Sequence, residues 1–265
     1  MKKFKFLNLV FIFLLIACGT VPFSGRKQFT VIPASQMISL ANDSYAQTLK
    51  ENKISDNEQY TNQVRRVGNR ISSAVEQYFK NQGMEERLKN YQWEFNVLSS
   101  EAVNAWCMPG GKIAFYEGIL PICQDDNGVA VVMAHEIAHA VARHGNERMS
   151  QQLSVQLGGM VLSEALKKEE ETTRKLALAA FGLGSQVGYL LPYSRTHERE
   201  ADELGLYFMA MANYDPRGAP DFWKRMKDKG GSRPPEFLST HPHPKNRIAN
   251  MEEHMEKALE YYQKK

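Results

Sequence analysis

Residues 134–139 read Ala-His-Glu-Ile-Ala-His, and His135 and His139 stand four positions apart in a run whose other members are apolar or small. On a helix of 3.6 residues per turn, four positions correspond to about 40°, so both imidazoles reach one point from one face. Uncompensated imidazoles in so apolar a helix would be costly, and a zinc ion at their meeting point removes that cost. Glu136 lies one step round the helix. It is badly placed to join the histidines as a ligand, yet well placed to contact a water beside them, the position of a general base. The run predicts a buried helix from about Asp126 to Gly145, with Arg143 and His144 in its last turn, carrying a zinc-dependent hydrolytic site.

A catalytic zinc needs a third protein ligand and an open fourth position. Residues 194–202 supply a candidate in Ser-Arg-Thr-His-Glu-Arg-Glu-Ala-Asp, which opens a helix running to about Met211. Glu198 and Asp202 are four apart on one face. Glu198 can reach the metal while Asp202, one turn on, accepts a hydrogen bond from a ligating histidine and fixes its tautomer. His197 and Glu200 face about 100° away from Glu198, where polar residues are ordinarily solvated.

Upstream, residues 104–115 read as strand, Pro-Gly-Gly turn and strand, placed shortly before the histidine helix. Such a strand can border a cleft and pair with an extended peptide through its free backbone groups, with Asn104 and Ala105 as substrate-binding residues. Residues 36–52 suit a helix. A second is expected behind a capping box at Ser55 and Glu58, with Val64, Val67, Ile71, Val75 and Phe79 at helical spacing. Alternation over residues 93–98 predicts a half-buried strand. Residues 146–166 suit another helix. Residues 176–191 are apolar and glycine-interrupted and are read as a core helix plus a loop beside the cleft, with a mobile lid as the alternative. The final helix is expected over residues 244–262.

At the N-terminus, Lys2, Lys3 and Lys5 precede the apolar run 6–16, too short for a bilayer span and suited to a secretory signal. Leu15-Ile16-Ala17-Cys18 looks like a bacterial lipobox, with Cys18 as the lipidation site. The expected organisation is a lipoprotein signal peptide (1–17), a lipid-anchored leader (18–34) and a zinc metallopeptidase domain (35–265). The formal charge of +3 comes from the signal lysines, so no nucleic-acid partner is indicated. Cys107 and Cys123 could close a loop or remain free thiols.

The ordered set His135-Glu136-x-x-His139, then Ser194-Arg195-x-x-Glu198-x-x-x-Asp202, resembles the gluzincin metallopeptidases related to HtpX and the CAAX prenyl endopeptidase. It looks most like their small periplasmic lipoprotein branch, the BepA-like proteins. Residues 24–28 (Ser-Gly-Arg-Lys-Gln), Asn104-Ala105, Gly110-Gly111, Thr240-His241-Pro242 and Arg247-Ile248 extend the likeness over nearly the whole mature chain. The resemblance implies a mainly helical α+β zincin-type domain with a small antiparallel sheet bordering the cleft. It also implies Zn2+ on His135, His139 and Glu198, Glu136 as base, and His241 and Arg247 at the cleft. Pro242 could hold His241 toward the metal, where its ring would be either a fourth ligand that switches the site off or an oxyanion donor. The implied function is endoproteolysis of misfolded or unassembled envelope proteins by an outer-membrane lipoprotein facing the periplasm. Its partners would be unfolded polypeptides and, through the anchor, a membrane. The competing reading is a chaperone-like assembly factor with a latent protease site.

Overall fold

A helix whose side chains are nearly all apolar has to be enclosed on every side, and the segment Asp126–Val141 is: residues 128–141 are all buried. The rest of the chain is the enclosure. The computed structural model describes residues 18–229, 235–241 and 247–263. The expected signal peptide lies outside them.

Strands β1 (Cys18–Thr20) and β2 (Lys27–Phe29) form an antiparallel ribbon. Helices α1 (Ala34–Glu51) and α2 (Glu58–Asn81) follow. The second sheet comprises β3 (Glu94–Leu98), β4 (Ala105–Met108) and β5 (Lys112–Tyr116), in the order β3-β5-β4. Next come a single helical turn α3 (Leu120–Cys123), the buried helix α4 (Asp126–Val141), α5 (His144–Ala165) and α6 (Glu171–Ser185). A π-helical turn, Gln186–Leu190, joins α6 to α7 (Leu191–Met211), and α8 (Ala219–Lys229), α9 (Glu236–Thr240) and α10 (Arg247–Gln263) complete the chain. The architecture is the expected mainly helical α+β domain.

The sheet is antiparallel between β4 and β5, and β3 adds to β5 in parallel. That parallel pairing explains why β3 is buried along most of its length rather than half-buried: α2 lies across it, and Gly68 is the contact, since a Cβ there would fall 2.4 Å from the Phe95 ring. Helix α2 starts at Asn57, whose side chain accepts from the Tyr60 N–H. Ser55, the expected cap, instead donates to the Glu117 carboxylate.

Helix α4 opens at Asp125, which accepts from the Gly128 N–H at 2.8 Å, and ends at Val141 rather than Gly145. Three side chains satisfy the last carbonyls. Tyr91 Oη donates to Ala140, Arg87 Nε to Val141 and Gln28 Nε2 to Ala142, at 2.8, 2.9 and 2.6 Å. With the end capped from outside, Arg143 turns the chain at φ 59° and His144 becomes the first residue of α5. Helix α7 packs along α4 at a glycine: a Cβ on Gly205 would lie 3.2 Å from the His135 backbone nitrogen. This close approach brings residues of α7 to the histidines of α4.

One expectation is corrected here and one open alternative is decided. Residues 176–191 are not core: α6 has no buried residue, and Leu176 and Leu183 are about two-thirds exposed, at 67% and 68%. Glu171–Met211 is long and apolar enough to cross a membrane by length and composition, and its most apolar window is unburied. Cys107 and Cys123 are both free thiols, so no bridge closes between them.

Candidate metal centre

Four side chains from three elements converge beneath the cleft. His135 and His139 come from α4, Glu198 from α7, and His241 from the end of α9. His135 Nε2 lies 3.1 Å from His139 Nε2, 3.4 Å from Glu198 Oε2 and 3.3 Å from His241 Nδ1. Glu198 Oε1 is 3.4 Å from His139 Nε2, and its Oε2 is 3.3 Å from His241 Nδ1. Four donors each about 2.0–2.1 Å from a tetrahedral zinc stand roughly 3.3 Å apart, so these separations fit that ion. The protein's own bonding leaves the set incomplete, since the buried Glu198 Oε1 has no hydrogen-bond donor.

Burial would lower His135, but hydrogen bonds to Asp202 and Glu198 raise it to about 9, so these carboxylates favour a cation at this point. Burial pushes His139 well below the ordinary imidazole range, leaving a neutral ring with a lone pair. Burial alone would raise Glu198, but His139, His135 and His241 hold it well below the usual carboxylate range. Burial raises Glu136 against the opposing influence of His241 and His135, which makes it a stronger base than an exposed glutamate. Its Oε1 lies 3.4 Å from His241 Nε2.

Asp202 and Arg247 support the set from behind. Asp202 Oδ1 lies 3.0 Å from His135 Nδ1, the contact its spacing from Glu198 predicts, and favours the tautomer with Nε2 free. Arg247, fully buried, donates to Asp202 at 2.6 Å and Glu198 at 3.1 Å, with its guanidinium 3.7 Å from the centre of the Trp223 ring. One cation thus holds both carboxylates of α7 in place. Trp223 also stacks on Phe237, which stacks on His241 with centroids 4.5 Å apart.

A cleft of about 240 Å³ opens over Glu136, His139 and His241, with Asn104, Ala105 and Cys107 along one wall. The Tyr116 N–H donates to Asn104 O, so the alternation of an antiparallel pair turns the backbone groups of Ala105 and Cys107 to the outer edge of β4. Ala105 therefore lies where a substrate strand would add. Asn104 is placed otherwise: its side-chain oxygen accepts from the Ala105 N–H and its amide donates to Glu236.

His144, His197 and Glu200 are corrected more strongly. Read from the sequence as a helix-end residue and two solvated ones, they are 1%, 1% and 6% exposed. Together with buried Glu147 they form a polar cluster behind His139, which half-buried Arg26 closes from outside. Helical geometry pointed His197 and Glu200 away from the metal, and it did so correctly, but a second covering layer, the β1–β2 ribbon, is not visible in the periodicity of α7.

Comparison with known proteins places this geometry in a family. The model of peptidase family M48 matches residues 65–255. The chain is 34% identical over 243 residues to the mitochondrial metalloendopeptidase OMA1 of Schizosaccharomyces pombe, covering 90% of this chain and 66% of the relative. It is 37% identical over 180 residues to the Arabidopsis thaliana protein of the same name, covering 66% and 34%. The beta-barrel assembly-enhancing protease of Escherichia coli is 30% identical over 163 residues, covering 60% and 33%. The chain therefore spans two-thirds or less of the length of these relatives. The expected bacterial placement, an outer-membrane lipoprotein acylated at Cys18 and facing the periplasm, is corrected by these matches. Relatives matched over 65% to 90% of the chain are named as mitochondrial in yeast, plant, fish and cow. Basic residues followed by a short apolar run are shared by several kinds of targeting segment, so that pattern could not carry a compartment.

Proposed function

The chain belongs to peptidase family M48, whose members are zinc-dependent metallopeptidases, and on that premise we propose that it is an endopeptidase that cleaves extended polypeptide segments. The observation that carries the reading is the convergence of His135, His139 and Glu198 on one point with Glu136 beside it. We assign His135, His139 and Glu198 as the residues that hold zinc. Bound there, zinc supplies Lewis acidity toward the scissile carbonyl and toward water.

The chain's own residues do the rest. The outer edge of β4 accepts from the substrate backbone at the Ala105 and Cys107 carbonyls and lays the peptide across the cleft, the two N–H groups being held by Asn104 and Glu136. Glu136 takes the proton of the attacking water on its carboxylate and later delivers it to the leaving amine, and burial supports that role by raising its basicity. Asp202 and Arg247 keep His135 and Glu198 in register. Misfolded or unassembled polypeptides are the proposed substrates, because they expose the extended segments an edge strand can recruit.

His241 supports a further refinement. Its Nδ1 stands at ligand separation from both His135 and Glu198, in the position an open catalytic site leaves to water. We read it as a fourth protein ligand that holds the resting enzyme closed and must swing out for turnover.

Digestion of casein by the zinc-loaded protein, compared with Glu136→Gln, tests the proposal. Cleavage by the parent and its loss in Glu136→Gln at unchanged zinc content are expected. Equal cleavage by both would overturn the role of Glu136. Suppression of substrate aggregation by both, with cleavage by neither even after removal of His241, would favour the chaperone-like reading.

A further inference from the structure

The ligand His139 is oriented through a neighbour, and the end of that chain of contacts lies in the N-terminal ribbon. His139 Nδ1 is 2.9 Å from His144 Nδ1, and His144 Nε2 is 3.1 Å from Glu200 Oε2. Arg26 donates from Nε and Nη2 to Glu200, both at 2.9 Å, and Ser24 Oγ adds a bond to the same carboxylate at 2.8 Å. The same guanidinium holds Glu147 at 2.8 and 2.7 Å. Glu147, Glu200 and His144 are all buried.

Only one arrangement of protons satisfies this chain. His139 must present a bare Nε2 to the metal, so its proton sits on Nδ1 and is donated to His144. His144 Nδ1 must then be bare, so its own proton sits on Nε2 and is donated to Glu200. The reverse assignment would aim a protonated His139 Nε2 at the metal and a lone pair of His144 at a carboxylate.

We propose that Arg26, Glu200 and His144 are positioning residues for the metal ligand His139, so that the N-terminal ribbon completes the metal centre from outside the zinc-binding helices. His135 has the Asp202 carboxylate at its Nδ1; His139 has a histidine there instead, and the His144–Glu200 pair does the same work at one remove. Arg26 keeps Glu200 ionised and fixed while sharing its charge with Glu147. The inference rests on the zinc reading of the site.

Zinc affinity measured by chelator competition on the metal-free, full-length protein tests it. His144→Ala and Glu200→Gln should each weaken zinc binding on the order of tenfold to a hundredfold. Because the two act in series, the double variant should lose no more than His144→Ala alone, whereas independent effects would multiply. Arg26→Lys should weaken binding less than Arg26→Ala, but should not restore the parent value, because an ammonium cannot grip two carboxylates in a fork. The visible spectrum of the cobalt-substituted protein should shift in His144→Ala, which a remote structural defect would not do. Thermal melting of the metal-free proteins separates misfolding from loss of positioning. If His144→Ala does not fold, the near-isosteric Glu200→Gln carries the comparison. Parent-like zinc affinity in a folded His144→Ala or Glu200→Gln, or multiplicative losses in the double variant, would overturn the inference. Parent-like affinity in His135→Ala would instead sink the zinc reading itself.

Discussion

His241 Nδ1 lies 3.3 Å from Glu198 Oε2, joining a residue of the short α9 turn to a carboxylate buried in α7. If that contact marks a fourth metal ligand, His241→Ala should raise casein cleavage or self-cleavage while zinc content stays near one per chain. An oxyanion donor would behave oppositely, losing on the order of a hundredfold in rate. Phe237→Leu, which weakens the ring stack that holds His241, should move activity in the same direction as His241→Ala.

Metal analysis should separate the ligands from their support. His135→Ala, His139→Ala and Glu198→Ala should each remove most of the zinc. Asp202→Asn should retain it with affinity reduced roughly tenfold to a hundredfold. Full zinc occupancy in Glu198→Ala, measured after dialysis against a weak chelator, would refute the third-ligand assignment.

The edge of β4 joins substrate binding to the chemistry. The Cys107 N–H bonds the Glu136 carboxylate, so Cys107→Pro removes a support of the base and crowds the outer edge without touching the ladder to β5. A KM for an unfolded substrate raised by roughly tenfold, together with a lower kcat, is expected, with zinc content unchanged. An unaltered KM would mean that the substrate does not add to this strand.

The ion pair between half-buried Arg26 and buried Glu147 predicts sensitivity to acid. Burial would raise the Glu147 carboxyl, but hydrogen bonds from Arg26 and His197 outweigh it and bring it down to about 2, against an ordinary value of 4.5. A carboxylate depressed on folding stabilises the native state fully above its unfolded value and loses that contribution as pH falls through its folded value. On the order of 3 kcal/mol should therefore disappear between pH 4.5 and 2. Urea unfolding of the metal-free protein across that window should show the loss, and Glu147→Gln should make it shallower, the remainder belonging chiefly to Glu200, which hydrogen bonds from His144 and Arg26 bring down to about 2 against the effect of burial. An identical slope in the variant would assign the acid sensitivity to other groups.

What was legible in the sequence was whatever a local period could carry. Helical spacing placed His135 and His139 on one point and Glu136 beside it, and the four-residue step from Glu198 to Asp202 anticipated both the carboxylate that meets the two histidines and the one behind His135. Helices α1, α2, α5, α7 and α10 and the β4–β5 hairpin were legible for the same reason, whereas α8 and α9 were not anticipated. Helix bounds were less legible: α4 ends early because Tyr91, Arg87 and Gln28, distant in sequence, cap its carbonyls.

Only the tertiary structure decided what lies behind and around those motifs. His144, His197 and Glu200 look like surface residues by helical phase, and become buried because the β1–β2 ribbon lays Arg26 against them from more than a hundred residues away. Residues 176–191 look like core by composition, yet α5 meets α6 on one side only, at Phe181, and leaves no residue of α6 buried. A period reports which side chains share a face; what that face meets is set by packing between segments remote in the chain, and local spacing contains no record of it.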